Sequence, residues 1–296
     1  MIKKSPIYVK FLILSLLLMT SCVSGCVTID NKPDKPSELF PRHSFVQIKH
    51  SVEVQGCGLD TTSGKEKCQK AVMQYVSSGA YVFHSEVSQG TSYVLTAGHS
   101  CESKFPKSQM IDGFRVENKG SKFKTVDLNG FHHEAKVILV NRRFDLCLLQ
   151  VSNILTNPPI LELAEKEPKR GETVINMAAP PGLFWSGTVL IFKGQFSGYH
   201  DRGYSVYTIP TKPGSSGSPI INSNNKLVGV IFAGYPKIEN VGLSSPLVAI
   251  RVFLKKAIAK GEMQLWENNV QPKLNTQVDR IWVQEMQHKL NKFFGK

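Results

Sequence analysis

From Phe45 onward the apolar residues come in short runs rich in Val, Ile, Leu, Tyr and Phe, separated by Gly, Asn and Ser. Phe45-Val46-Gln47-Ile48, Tyr81-Val82-Phe83, Tyr93-Val94-Leu95, Ala135 to Val140 and Leu146 to Val151 read as one set of strands. Thr173 to Met177, Gly187 to Phe192, Tyr204 to Ile209, Lys226 to Phe232 and Val241 to Leu243 read as a second set. Between them Ser152 to Arg170, with Pro158-Pro159 and mixed charge, reads as a connector. Many short strands with turn punctuation point to an all-β barrel or sandwich rather than an α/β sheet. Near the end Val278, Ile281, Trp282, Met286, Leu290 and Phe293 recur at steps of three or four, which predicts an amphipathic helix over Thr276 to Phe294. Its apolar face is expected to dock on the protein itself, with a partner protein or a membrane surface as the other uses.

The first residues follow a different logic. Met1-Ile2-Lys3-Lys4 is a positive stretch, Phe11 to Met19 an apolar core too short for a membrane span, and Thr20 to Gly25 small and polar. This is the pattern of an export signal. Val23-Ser24-Gly25-Cys26 resembles a bacterial lipobox, with Met19-Thr20-Ser21-Cys22 a poorer match. Residues 1–26 are thus expected to be a lipoprotein-type signal, with Cys26 lipidated. Residues 27–44, with Pro33, Pro36 and Pro41 among Lys and Asp, are expected to form a tether. Several acyl chains on one residue give stable anchoring where a single chain does not. The expected location is a bacterial envelope, on a membrane.

The 296 residues are 41% hydrophobic, enough for a sizeable core, and carry a net charge of +13. Without Lys3, Lys4 and Lys10 the charge is +10. That excess favours anionic surfaces in general. The basic residues are scattered and no stripe interleaves them with aromatics, so specific nucleic-acid binding is not expected. Four cysteines follow the leader: Cys57, Cys68, Cys101 and Cys147. An even number in an exported chain suggests two disulfides with three possible pairings. Cys57 and Cys68 bracket a Gly- and Lys-rich loop, Gly58 to Lys67, that a bond would staple. No C-x-x-C or paired His spacing supports a zinc site.

Three segments carry candidate chemistry: Thr96-Ala97-Gly98-His99, Phe144-Asp145-Leu146 and Gly214-Ser215-Ser216-Gly217-Ser218-Pro219. In order and context they resemble the trypsin/chymotrypsin superfamily, over roughly Phe45 to Lys256. The Gly-Ser-Ser-Gly-Ser-Pro variant is most similar to the bacterial glutamyl-endopeptidase and HtrA-like branches. The resemblance implies two six-stranded antiparallel barrels, about 45–155 and 170–248, within a peptidase domain over 45–258. It also implies a terminal helix at Ala249 to Lys260 that ends at Gly261, and an extension over 259–296.

What the resemblance implies chemically is a serine endopeptidase acting on polypeptides, with no metal or organic cofactor. Ser216 is then the nucleophile, His99 its base and Asp145 the carboxylate that orients His99. The N–H groups of Gly214 and Ser216 form the oxyanion hole. Contact between His99 and Asp145 makes neighbours of Cys101 and Cys147, each two residues further on, so that a Cys101–Cys147 bond becomes feasible. The specificity pocket aligns with Thr211 and Lys212, then Phe232 and Gly234, then Gly242 and Ser244. No acidic residue stands there, which argues against preference for Lys or Arg. Glycine at 234 and 242 leaves room for a small or apolar side chain, while Thr211, Lys212 and Ser244 also suit a carboxylate. Digestive members carry Asp where this chain has Ser215, so activation by an ion pair to a new N-terminus is not expected.

Rival residues read differently. His132 and His133 are expected on a strand surface; His43, His50, His84 and His200 lack supporting context. Asp112 and Asp127 read as turn residues. Ser218 is the nearest competitor to Ser216. The alternative function is a trypsin-fold envelope lipoprotein that binds or recruits without cleaving.

Overall fold

A computed structural model describes residues 40–59, 63–102, 107–112, 114–236 and 238–269, with Glu285, His288 and Lys292 singly beyond them. The leader, Cys26, residues 27–39 of the tether and nearly all of the 276–294 segment lie outside the described residues. Thirteen strands and one long helix are described: β1 (Phe45–Leu59), β2 (Glu66–His84), β3 (Ser92–Ala97), β4 (Ser108–Ile111), β5 (Phe114–Asp127), β6 (His132–Asn141), β7 (Leu146–Val151), β8 (Thr173–Ala178), β9 (Leu190–Tyr199), β10 (Ser205–Tyr207), β11 (Pro219–Ile221), β12 (Leu227–Gly234), β13 (Gly242–Ser245) and α1 (Leu247–Asn269).

The first seven strands are ordered β1-β2-β3-β7-β6-β5-β4. Antiparallel pairing of β1 with β5 closes six of them into a barrel and leaves β4 on the outside of β5. The second barrel closes in the order β10-β13-β12-β11-β8-β9, again through antiparallel pairs. One apolar cluster joins the barrels to the helix, with Phe45, Leu95, Leu148, Met177, Ile221, Val230, Ile250, Phe253 and Leu254 all buried. The family resemblance implies this two-barrel architecture, and most of the strand centres read from the sequence match.

The differences have physical causes. Strands β4 and β5 have no sequence counterpart, because β5 is largely exposed and interleaves Arg115, Glu117, Lys119, Lys122 and Lys124 with its few apolar positions. Strands β1 and β2 stay paired to their ends, with β5 alongside β1, so that Gly58 pairs with Lys67 and Cys57 with Cys68. The two ends of the expected Gly58–Lys67 loop are thus paired strand, and the Cys57–Cys68 bond lies across the two strands at its base. His133 is buried rather than on the surface, with Nε2 3.4 Å from Asp127 Oδ2. His132 is exposed as expected.

Helix α1 does not stop at Gly261. A Cβ there would lie 2.5 Å from the ring of Tyr93, so glycine lets the helix press onto β3 instead of ending it. The next residue, Glu262, is fully buried; its carboxylate accepts from Tyr93 Oη at 2.7 Å and from the Glu86 N–H at 2.9 Å. Burial pushes the Glu262 carboxyl up from its usual range, against the opposing effect of these donors. At the other end Val248 N–H donates to Glu167 Oε1 at 3.2 Å, a carboxylate at a helix N-terminus, where the dipole favours negative charge. Among the described residues, no helix is long and apolar enough to cross a membrane.

Candidate active site

His99 sits in a short 3-10 turn, Gly98–Cys101, directly after β3, and Asp145 directly precedes β7. Because Ala97 pairs with Leu146 in the antiparallel β3–β7 ladder, the two residues meet at one end of the barrel. The Asp145 carboxylate contacts His99 twice: Oδ1 accepts the backbone N–H at 2.7 Å, and Oδ2 lies 2.6 Å from Nδ1. A carboxylate facing Nδ1 holds the proton there and leaves Nε2 with its lone pair, ready to accept another. Two local features permit this approach. A Cβ on Gly98 would lie 2.8 Å from Asp145 Oδ1, and Asp145 itself adopts φ 52°, a conformation that side-chain-bearing residues rarely take. The Cys101–Cys147 disulfide then ties the His99 turn to β7. In the chain-entropy view, closing its 46-residue separation is worth about 4 kcal/mol.

The Gly214–Pro219 segment belongs to the second barrel but is held by the first. Ser78 of β2 donates through Oγ to Gly214 O at 2.8 Å and through its N–H to Ser216 O at 2.8 Å. Its Oγ also accepts from Ala179 N–H at 3.0 Å. Ser215 N–H donates to Lys212 O at 2.9 Å, closing a turn with Pro213 and Gly214 (φ 88°) at its centre, the type II pattern. Gly217 has φ 85°, and a Cβ there would fall 2.1 Å from both Ser78 O and Thr96 Oγ1. That close approach sets the residue after Ser216 against Thr96 and Ala97, the strand end that leads into His99. Within Gly214 to Pro219 only Ser216 is partly open to solvent. Among the described residues, neither the Gly214 nor the Ser216 N–H has a protein hydrogen-bond partner. No described hydrogen bond joins the Ser216 hydroxyl to His99. Ser218, the rival serine, is fully buried and accepts from Asn176 Nδ2 at 2.8 Å.

Beside Ser216 opens a cleft of about 560 Å³, lined in part by Thr211, Lys212, Ser215, Ala233 and Gly234. Three of the residues assigned to it from sequence are elsewhere. Ser244 is buried inside the second barrel, where its Oγ accepts from Val230 N–H at 2.8 Å. Phe232 packs edge-on against Tyr204, with centroids 5.0 Å apart, and Gly242 is buried beneath Thr211. The room expected at Gly234 and Gly242 is also filled. Thr211 Oγ1 lies 2.1 Å from where a Gly234 Cβ would be, and Thr211 Cγ2 lies 3.1 Å from where a Gly242 Cβ would be. Both glycines make space for Thr211, and Gly234 also lines the cleft. Tyr235, Pro236, Ile238, Glu239 and Asn240 also line the cleft, and Glu239 is 4.0 Å from Lys212 Nζ. Their mixed, exposed side chains carry no pattern that marks them in the sequence.

Two closed antiparallel barrels with a His–Asp pair and a glycine-bounded serine turn at their junction define a class, and comparison with known proteins agrees. The chain belongs to the family described as trypsin-like peptidase domain, matched over residues 77–230. It is 26% identical over 195 residues to the serine protease Do-like HtrA of Bacillus subtilis, a match covering 61% of this chain and 43% of that protein. It is 30% identical over 141 residues to the mitochondrial protease Do-like 4 of Arabidopsis thaliana, covering 44% of this chain and 26% of that one. The chain thus spans less than half of each relative's length. The crystal structure of the serine endoprotease from Yersinia pestis shares the fold, with a TM-score of 0.52 at 16% identity, over 77% of this chain and 69% of that one.

Proposed function

We propose that the protein is an exported serine endopeptidase that cleaves polypeptides through an acyl-enzyme on Ser216. The observation that carries this reading is the doubly held His99–Asp145 pair, set beside a half-open serine whose turn is built from the same strands. In this reading His99 Nε2 takes the Ser216 proton as Oγ attacks the scissile carbonyl, and returns it to the leaving amine. Asp145 stabilises the imidazolium in between. The unengaged N–H groups of Gly214 and Ser216 receive the oxyanion. The Ser216–His99 contact tightens when substrate arrives, as catalytic hydrogen bonds commonly do. Water then hydrolyses the ester by the same base. A binding role alone would require none of this arrangement.

The test is covalent labelling with a fluorophosphonate, followed by mass mapping. A single adduct on the peptide that contains Ser216 is expected; a folded protein that takes no label, or takes it elsewhere, refutes the reading.

Thr211, packed over Gly234 and Gly242 in the wall of the cleft, supports a preference for small side chains on the acyl side of the cut. Thr211→Gly is expected to empty the space between Gly234 and Gly242. It should shift kcat/KM towards Leu or Phe over Ala at that position by about tenfold or more, since each methylene accommodated is worth roughly 10- to 200-fold. A set of fluorogenic peptides varied at that residue measures the shift.

Anchoring through a lipidated Cys26 at a bacterial envelope membrane completes the proposal. It is supported by the leader pattern, and mass analysis of the mature chain checks it.

A further inference from the structure

The loop between β8 and β9 is firmly held yet turns apolar side chains outward. Phe184 at its centre packs on Phe45, with ring centroids 5.9 Å apart. Gly187 N–H donates to Leu128 O at 2.6 Å, and Gly187 O accepts from Arg42 Nη1 at 3.3 Å. The residues on either side of Phe184 are left in solvent: Leu183 is 43% exposed and Trp185 56%. The β5–β6 turn alongside adds Phe131 at 59% exposure, because Gly130 brings that turn to Ser186, 3.5 Å from where its Cβ would be. A Trp, a Phe and a Leu on two adjoining turns forgo burial at a place where the loop is not free to fold them in.

We propose that Leu183, Trp185 and Phe131 form a membrane-facing patch that rests on the surface of a lipid bilayer; the proposal builds on the anchoring through Cys26. The choice of lipid over a protein partner follows from where the tether joins. Arg42, which bonds to this loop, lies at the end of the tether, and residues 27–41 are all that separate it from Cys26. A chain of that length reaches about 50 Å at most. The described chain thus begins beside the patch, and a bilayer is the surface that the proposed anchor brings to this chain. Trp suits the interface because its ring is apolar and its N–H remains hydrated among headgroups. Arg42 and the exposed His132 flank the patch, where lipid phosphates would lie.

The same contact would orient the cleft. Pro181, two residues before Leu183, lies 2.7 Å from where a Gly214 Cβ would be. A bilayer under Leu183 and Trp185 thus holds the Ser216 turn close to the membrane surface.

The experiment uses the unlipidated chain from residue 27, which keeps every residue of both barrels, so a failure of lipidation and a failure of the patch are read separately. Co-sedimentation with vesicles of phosphatidylcholine and a minority of phosphatidylglycerol is measured at low salt and at about 0.5 M salt, where screening acts beyond about 4 Å. Binding that persists at high salt is expected, weakened about tenfold or more in the F131S/L183S/W185S variant. The melting temperature should stay near that of the wild type, since the three side chains are exposed. Binding lost at high salt, or equal in the wild type and the variant, would overturn the proposal by reducing it to the attraction of a +10 chain for anions. So would a variant that sediments like the wild type but loses turnover on a soluble peptide, which would give the patch to substrate.

Discussion

Alanine in place of Ser216 is expected to lower turnover about a millionfold while the protein stays folded. Losing the nucleophile of a serine peptidase costs this much because the remaining groups act only through it. The fold should tolerate the change. Ser216 is held by its backbone carbonyl, which accepts from the Ser78 N–H, and its half-open side chain makes no described hydrogen bond. The companion variant is Ser218→Ala. It leaves Asn176 Nδ2 short of one buried acceptor and is expected to cost about 1–3 kcal/mol of stability, with turnover changed by less than about tenfold. Peptide hydrolysis and thermal melting, run on both variants, separate the two serines. Retained turnover in Ser216→Ala would end the acyl-enzyme reading.

Asparagine at position 145 is expected to lower kcat/KM by about four orders of magnitude with little loss of stability. The choice of Asn matters because Asp145 sits at φ 52°, and Asn tolerates that conformation better than other side chains do. Its amide oxygen can still accept the His99 backbone N–H in place of Oδ1. What it cannot do is accept from the ring as well. Its NH₂ would then face Nδ1 and donate to it, moving the imidazole proton to Nε2 and removing the base that Ser216 needs. An imidazolium formed during reaction would also lose its counter-charge. Steady-state kinetics beside a melting curve gives the measurement. A loss of under about tenfold with the fold intact would mean that Asp145 only shapes the turn.

Much of the architecture was readable from pattern because it depends on near neighbours in sequence. Leu146 to Val151 and Tyr93 to Leu95 are wholly buried strands, and their unbroken apolar runs announce it. β5 was hidden because its stability comes from pairing with β1, β4 and β6, not from its own composition. Gly261 misled for a related reason. Glycine after a helical run usually marks an end, whereas here it answers the ring of Tyr93 from a distant strand. Gly234 and Gly242 likewise answer a distant residue, since their missing side chains are matched to Thr211.

By itself the sequence determined the strand-rich class, the leader pattern and the ordered His, Asp and Ser segments, all of which are short and carried by adjacent residues. Tertiary structure alone decided which groups touch. It joined Asp145 to the backbone N–H and Nδ1 of His99, used Ser78 of the first barrel to hold the Ser216 turn of the second, and packed Thr211 against Gly234 and Gly242. It also turned Leu183 and Trp185 outward around the partly buried Phe184, which packs on Phe45. Each of these depends on backbone approaches of a few ångströms between segments far apart in the chain. Barrel closure sets such distances, and no local pattern encodes them.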